Sequence, residues 1–451
     1  LKNLSLYFSK AVTTGSTFVF NILLAKVAGV DYFGIFGLFA TLTFIINYFA
    51  DWGVSVYGPL ALSQASDSRL YVQRVFRFKV VVTIFFLMCY LLLVLLFYGE
   101  YFHLLGFGVL VVLSSGFNFD WLLRSLSLMH LVALRQIFHA LFNLLCAGFI
   151  VYFNMPVDLA FAAYGSSILV SYLFLFYFLV IRKHLTIPSL SIRSLWVDTK
   201  SYVKTTRQAF LGLLLFNLLY ALNVPFLTYF TGGAAATQYI SYYTLFSSVA
   251  AVMLIAQDIY FPQYRSADHK KFMFSYTRLQ IIGGVIVTGV LLCIPYYFPY
   301  IYPSDFSAQP NLTAVVAFLG IIYCFRLFSI HQFLLLQQYK RFFMVHLIGL
   351  AFYLALTTVM IYKGQYTPLI AFVLITVVEL FQIFGSLIWL KQRLGVYALI
   401  LVLLSCWVLL VYFIPSSIFV FVCLFICIFL AGILFLKRLL APGILLTPAD
   451  T

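Results

Sequence analysis

The sequence predicts an all-α polytopic membrane protein of about 14 transmembrane helices. Two six-helix lobes in parallel pseudo-repeat would surround a central cavity, with two accessory helices following. Three observations carry this. Of 451 residues, 64% are hydrophobic and 9% charged, against roughly 45–50% and 25% in a soluble domain, and mean hydropathy is +1.08. Apolar runs of about 20 residues recur along the whole chain, the length needed to cross about 30 Å of hydrocarbon. Most of the 27 Lys and Arg residues fall in alternate connections. An outer-membrane barrel is excluded, because its strands alternate in units of about ten residues.

The runs place spans near 6–29, 33–57, 79–98, 104–128, 131–153 and 160–181, then 206–230, 238–258, 276–298, 312–334, 342–362 and 367–390. Two more, 396–414 and 417–436, carry few polar residues and read as lipid-facing. The longest connection, 182–205, reads as a cytoplasmic linker between an N-terminal lobe (1–181) and a C-terminal lobe (206–390), with 391–451 holding the accessory helices and tail. Lobes of six spans each enter the membrane in the same direction, so any repeat is parallel.

The formal net charge of +15 would suggest nucleic acid for a soluble protein, but here it encodes orientation. Arg69, Arg74, Arg77 and Lys79 share one connection and Arg182, Lys183, Arg193, Lys200, Lys204 and Arg207 another, while the connections on the other side hold Lys363 alone. Both termini are therefore expected in the cytoplasm. The seven cysteines lie in apolar runs without a CxxC pair and read as core residues.

Polar groups inside spans are costly, so those that share a helical face mark a wet path or a partner. Lys10, Thr14, Thr17 and Asn21 share a face of the first span, and Thr43, Asn47, Asp51 and Ser55 one of the second. Asp120 and Arg124 stand one turn apart and are expected to form an ion pair. Arg135, His139 and Asn143 form a stripe, as do Thr376, Glu379, Gln382 and Ser386. A net cationic cavity follows, with Lys10, Lys26, Arg124, Arg135 and Arg326 set against Asp51, Asp120 and Glu379. Arg124 and Arg135 also fit as anchors flanking a short turn, and Lys26 as a residue snorkelling to the outer interface. Asp51 and Glu379, with no cation on their own helix, and His139 are the candidates for ion coupling. No GxxxxGK[ST], HExxH or GxSxG motif occurs, so no enzyme activity, cofactor, metal or nucleic-acid partner is expected.

Gly29 followed by Phe33-Gly34, then Asp51-Trp52-Gly53, Asp120-Trp121, Tyr239 and Leu335-Leu336-Gln337-Gln338 follow one another in an order that resembles the polysaccharide flippase family of O-antigen transporters (Wzx type). That family lies within the larger group of multidrug, oligosaccharidyl-lipid and polysaccharide exporters. After Asp-Trp the family commonly shows Gln-Gly and later Glu, where this chain has Arg124, Ser125 and Ser127. Any role of that glutamate has no counterpart here. The resemblance implies movement of an undecaprenyl-diphosphate-linked oligosaccharide across the bacterial cytoplasmic membrane by rocking of two lobes, amid membrane lipids and in the service of a polysaccharide polymerase and chain-length machinery. Arginine suits a diphosphate through its planar fork. Arg124, Arg135 and Arg326 are therefore the expected headgroup ligands, with Lys10 as entry contact, Lys26 as outer contact and Asn21, Asn47 and Asn143 for sugar hydroxyls.

Overall fold

A computed structural model describes residues 2–389 apart from 65–66, 127, 154, 182–190, 264–282, 285, 304–305, 307 and 336–337. The expected spans 396–414 and 417–436 lie outside the described residues, as do residues 276–282 and 285 of the expected span 276–298. Among the described residues every regular element is helical, and nine helices are long and apolar enough to cross a membrane, or ten with one bent pair. The chain divides into two compact units between Ser241 and Tyr242.

In the first unit, α1 (Lys2–Asp51) is broken at Gly29 (φ 73°), a conformation that costs glycine little. Its arms, Phe8–Val30 and Tyr32–Asp51, each suffice to span. They fold back on one another: Phe20 and Phe36, about 24 Å apart along a straight helix, hold their rings 5.6 Å apart. Phe39, Phe161 and Tyr164 complete this aromatic box. The hairpin brings Lys10 and Asp51, about twenty residues either side of the turn, to the same membrane level.

The second arm ends at Asp51-Trp52-Gly53, where Trp52 (φ 47°) and Gly53 (φ 71°) both enter the left-handed region. That position strains a non-glycine residue, and Trp52 is held there by stacking on Phe210 at 4.0 Å. Helix α2 (Val54–Gln64) follows. Its Gly58 lies so close to Trp121 that a Cβ would come within 2.6 Å of the indole.

Helix α3 (Ser68–Phe97) is capped by the Asp67 side chain, which accepts from the Leu70 amide. The expected span 104–128 is not one rod. It comprises α4 (Phe102–Leu105), α5 (Gly108–Gly116) and α6 (Asp120–Ser125), with a 57° bend between its first turns and the rest. Helices α7 (Met129–Tyr152) and α8 (Asp158–Ile181) follow. The residues expected as a linker at 192–205 are instead helical. Ser191 caps α9 (Ile192–Ala221) by accepting from the Ser194 amide, and Asp198 on α9 accepts from Arg77 on α3 at 2.9 Å. Leu62, Val75, Phe78, Trp121, Leu123, Val132 and Leu179 form a buried core at this end of the unit. That core fixes α6 against α3, α7 and α8. After α10 (Asn223–Phe230), the Thr237 hydroxyl at the start of α11 (Gly233–Gln263) donates to the Val30 carbonyl beside the hairpin turn.

The second unit is described from the rest of α11 through α12 (Ile294–Ile301), α13 (Pro310–Leu335), α14 (Tyr339–Tyr362) and α15 (Pro368–Trp389). Tyr242 closes it: its hydroxyl accepts from the Gln309 amide at 2.7 Å and its ring packs on Phe298. Helix α15 packs against both α13 and α14.

Candidate functional site

The first unit gathers four cations and two carboxylates at the level of Asp51. At the strained end of α1, Asp51 accepts from the Ser55 amide (3.1 Å) and hydroxyl (2.9 Å), which aims the carboxylate back across the helix break. Its second partner is Lys79 Nζ, 3.5 Å away. Lys79 is wholly buried and also donates to the Ser115 carbonyl at 2.9 Å. The sequence places Lys79 in an aqueous connection with Arg77, and this is corrected. Two residues along a helix turn about 200°, so Arg77 points to Asp198 while Lys79 points inward. The i, i+4 relation of Lys79 to Thr83, both buried and separated only by valines, is the signal that could have found it.

The expected Asp120–Arg124 pair does not form. Asp120 receives both prongs of Arg135, Nε at 3.0 Å and Nη2 at 2.7 Å, and the guanidinium lies 4.2 Å from the centroid of the Tyr172 ring. The packing of α7 on α6 presents Arg135 end-on, so that both Asp120 oxygens are taken by one guanidinium. Among the described residues Arg124 is left half-buried with no carboxylate at ion-pairing distance. It interacts electrostatically with Lys10 and with Tyr172, which also lies within reach of Asp51, Asp120 and Arg135. Among these six groups, then, the basic side chains outnumber the carboxylates four to two.

Lys10 is half-buried. Around it, Ser9 donates to the Gln136 side chain (2.9 Å) and Thr13 to the Gln136 carbonyl (3.2 Å), pinning α1 to α7. His139 sits one turn beyond Arg135, near the Ser167 backbone. Further along, Asn143 is fully buried with neither amide atom hydrogen-bonded, and Asn47 has a buried oxygen in the same condition. Asn21 is half-buried and Lys26 exposed on the first arm near the hairpin turn. The crevice between α1 and α7, bordered by Phe20, Leu24, Ala147 and Ile150, is apolar. Among the described residues no group of His, Cys, Asp and Glu is placed to hold a metal ion.

Arg326 belongs to a different arrangement, inside the second unit. On α13 it is fully buried and pairs through Nε with Glu379 Oε2 on α15 at 2.9 Å. Its other nitrogens donate to Gln382 Oε1 (2.7 Å), Ser386 Oγ (3.2 Å) and His346 Nε2 on α14. His346 Nδ1 is 2.7 Å from the Phe342 carbonyl, which can only accept. The proton therefore sits on Nδ1 and Nε2 accepts from the arginine. Gly349 makes room for Gln382, whose amide would come within 1.9 Å of a Cβ there. Glu379 lacks a cation on its own helix, as the sequence indicates, but finds one across the bundle.

No protein-family model matches the sequence, and no curated protein matches it. Solved structures do match in fold. An inward-facing multidrug resistance MATE family transporter of the MOP superfamily superposes with a TM-score of 0.61 at 13% identity, over 86% of this chain and 96% of that one. The lipid II flippase MurJ, in an inward closed conformation, does so at 0.61 and 13%, over 97% and 99%. The fold is that of MOP superfamily transporters. A MOP transporter from Pyrococcus furiosus, described as having a binding pocket of reverse polarity, also matches at 0.57 and 13%, over 86% and 94%. The all-α multispan class expected from the sequence is the one found, and these three solved structures are of two transporters and a flippase.

Proposed function

We propose that the chain is a flippase carrying an undecaprenyl-diphosphate-linked oligosaccharide repeat, of O-antigen or a similar surface polysaccharide. It would work from the cytoplasmic to the outer leaflet of the bacterial cytoplasmic membrane by alternating access, with both termini cytoplasmic. The observation that carries this is Arg124, half-buried beside Lys10 and, among the described residues, without a carboxylate at ion-pairing distance. Placing a diphosphate in a low-dielectric bundle is costly, and Arg124 offers a planar guanidinium there. The same guanidinium would repel the organic cations typical of multidrug antiporters.

In this reading Arg124 and Lys10 meet the diphosphate, and Arg135 is oriented by Asp120 at the rim of the same site. Asn21, Asn47 and Asn143 serve the sugar, and Lys26 meets the headgroup near the outer side. Asp51, with Lys79 as counter-ion, is the coupling group of choice, and His139 is second. Glu379 and Arg326 neutralise each other and hold the second unit together. An inside-negative potential favours outward movement of the anionic headgroup by about 2.3 kcal/mol per charge per 100 mV. The polysaccharide polymerase and chain-length machinery would take up the product.

Cells lacking the protein are expected to accumulate unpolymerised lipid-linked repeats on the inner leaflet. Single repeats displayed outside would instead make it part of the polymerisation step. A lipid II flippase is the second reading, favoured by alignment with MurJ over nearly the whole of both chains. Flipping of lipid II but not of other diphosphate-linked glycans in proteoliposomes would decide for it.

A further inference from the structure

Helix α9 has two unlike faces along its first sixteen residues. One is packed: Tyr202 and Thr206 are buried, the Tyr202 ring lies 4.4 Å from Phe78, and Asp198 is held by Arg77 at 2.9 Å and Arg74 at 3.7 Å. Asp198 is the only acidic residue of this stretch, and those arginines occupy it. The opposite face is exposed and carries Arg193, Lys200, Lys204 and Arg207, which recur at helical spacing on one side. Among and beside them stand Trp196, 68% exposed, and Val197, 56% exposed, with Ile192 at 86%.

The Arg77–Asp198 contact fixes the height of this face. On α3 the residues from Val80 to Phe97 carry no charge, so the boundary between hydrocarbon and headgroups lies near Arg77. Trp196 and Lys200 each stand two residues from Asp198, about 3 Å along the axis. Both are thus at headgroup depth, where tryptophan is favoured. Arg193 lies about 7 Å to the aqueous side and Lys204 about 9 Å to the other, within reach of phosphates by snorkelling. Exposed aromatic and aliphatic groups at that depth, interleaved with cations that have no carboxylate at ion-pairing distance among the described residues, suit neither bulk water nor pure hydrocarbon.

We propose that this outer face of α9 is a docking surface for the phosphates of anionic glycerophospholipids in the adjoining leaflet. Trp196 and Val197 seat among the upper acyl carbons while Arg193, Lys200 and Lys204 bind headgroups, so α9 and its partner α3 are clamped to the membrane surface. The inference stands on the membrane fold alone and is independent of what the protein carries.

The test uses the full chain in vesicles of equal phosphatidylglycerol and phosphatidylcholine, with one or the other lipid brominated. The Trp196 signal is the difference between wild type and W196F. Brominated phosphatidylglycerol is expected to quench it several-fold more strongly than brominated phosphatidylcholine. The preference is expected to fall stepwise with each cation removed, to vanish in R193Q/K200Q/K204Q, and to shrink at 0.5 M salt in the unmodified protein, which needs no folded variant. Equal quenching by both lipids in wild type, or quenching by neither, would overturn the proposal. So would displacement of phosphatidylglycerol by stoichiometric polyprenyl diphosphate, which would make the face a substrate site. Flipping measured in the same vesicles reports separately on the proposed function.

Discussion

Each unit buries arginine against a carboxylate, yet the two arrangements differ in what is left over. In the second unit Arg326 meets Glu379, Gln382, Ser386 and a neutral His346, all of them buried. The charges cancel and the guanidinium has few donors to spare. In the first unit two ion pairs, Lys79–Asp51 and Arg135–Asp120, stand beside a half-buried Arg124 and Lys10. The difference teaches that an intramembrane arginine can be spent wholly on partners within its own unit, as Arg326 is.

The comparison breaks most easily at Arg326. Replacing Arg326 with Ala strands Glu379 in the bundle interior and is expected to cost about 3–5 kcal/mol, seen as a large fall in the thermal midpoint of the detergent-purified protein. The double variant R326M/E379L should recover most of that loss. If it does not, or if R326A is as stable as wild type while flipping stops, Arg326 belongs with the substrate after all. Gly349→Ala is next: pushing a methyl into Gln382 should cost about 1–3 kcal/mol by overpacking, with flipping per folded molecule unchanged.

Arg124→Gln sharpens the other side. Loss of a charge-assisted contact is worth about 1.5–3 kcal/mol, so flipping in vesicles should fall about tenfold or more. The melting curve should stay within about 0.5 kcal/mol of wild type, as for a substitution that breaks no buried pair. An unstable R124Q protein would show that Arg124 is structural too. The smallest effect expected is from Asp198→Asn, which unties α9 from the partly exposed Arg74 and Arg77 at a cost of about 1 kcal/mol or less. Limited proteolysis near residue 192 should report it.

Much of the fold was legible because a bilayer demands long apolar runs, and the stripes on α1, α7 and α15 were legible because helical periodicity is local. Partnership was not. Glu379 and Arg326 are 53 positions apart, and nothing in either helix announces the other. Asp120 had a tempting cation one turn away, but the approach of α7 awarded it to Arg135. Lys79 was lost for a related reason, since its charge resembled that of Arg74 and Arg77 and only its rotation about α3 sends it inward. The start of α9 was read as a loop because its composition is polar. The capping serine and the salt bridge to Arg77 that make it a helix depend on a neighbour brought in by packing.

The tight turn at Gly29 bears on how the chain is made. With Phe20 packed on Phe36 across it, the first two spans form a pair whose polar stripes need each other's company, and the stripe of the first arm by itself would offer lipid a lysine, two threonines and an asparagine. The pair should therefore leave the translocon together. A stiffening substitution such as Gly29→Val would be felt at the ribosome, as a mis-inserted N-terminus, before any finished protein existed to be tested.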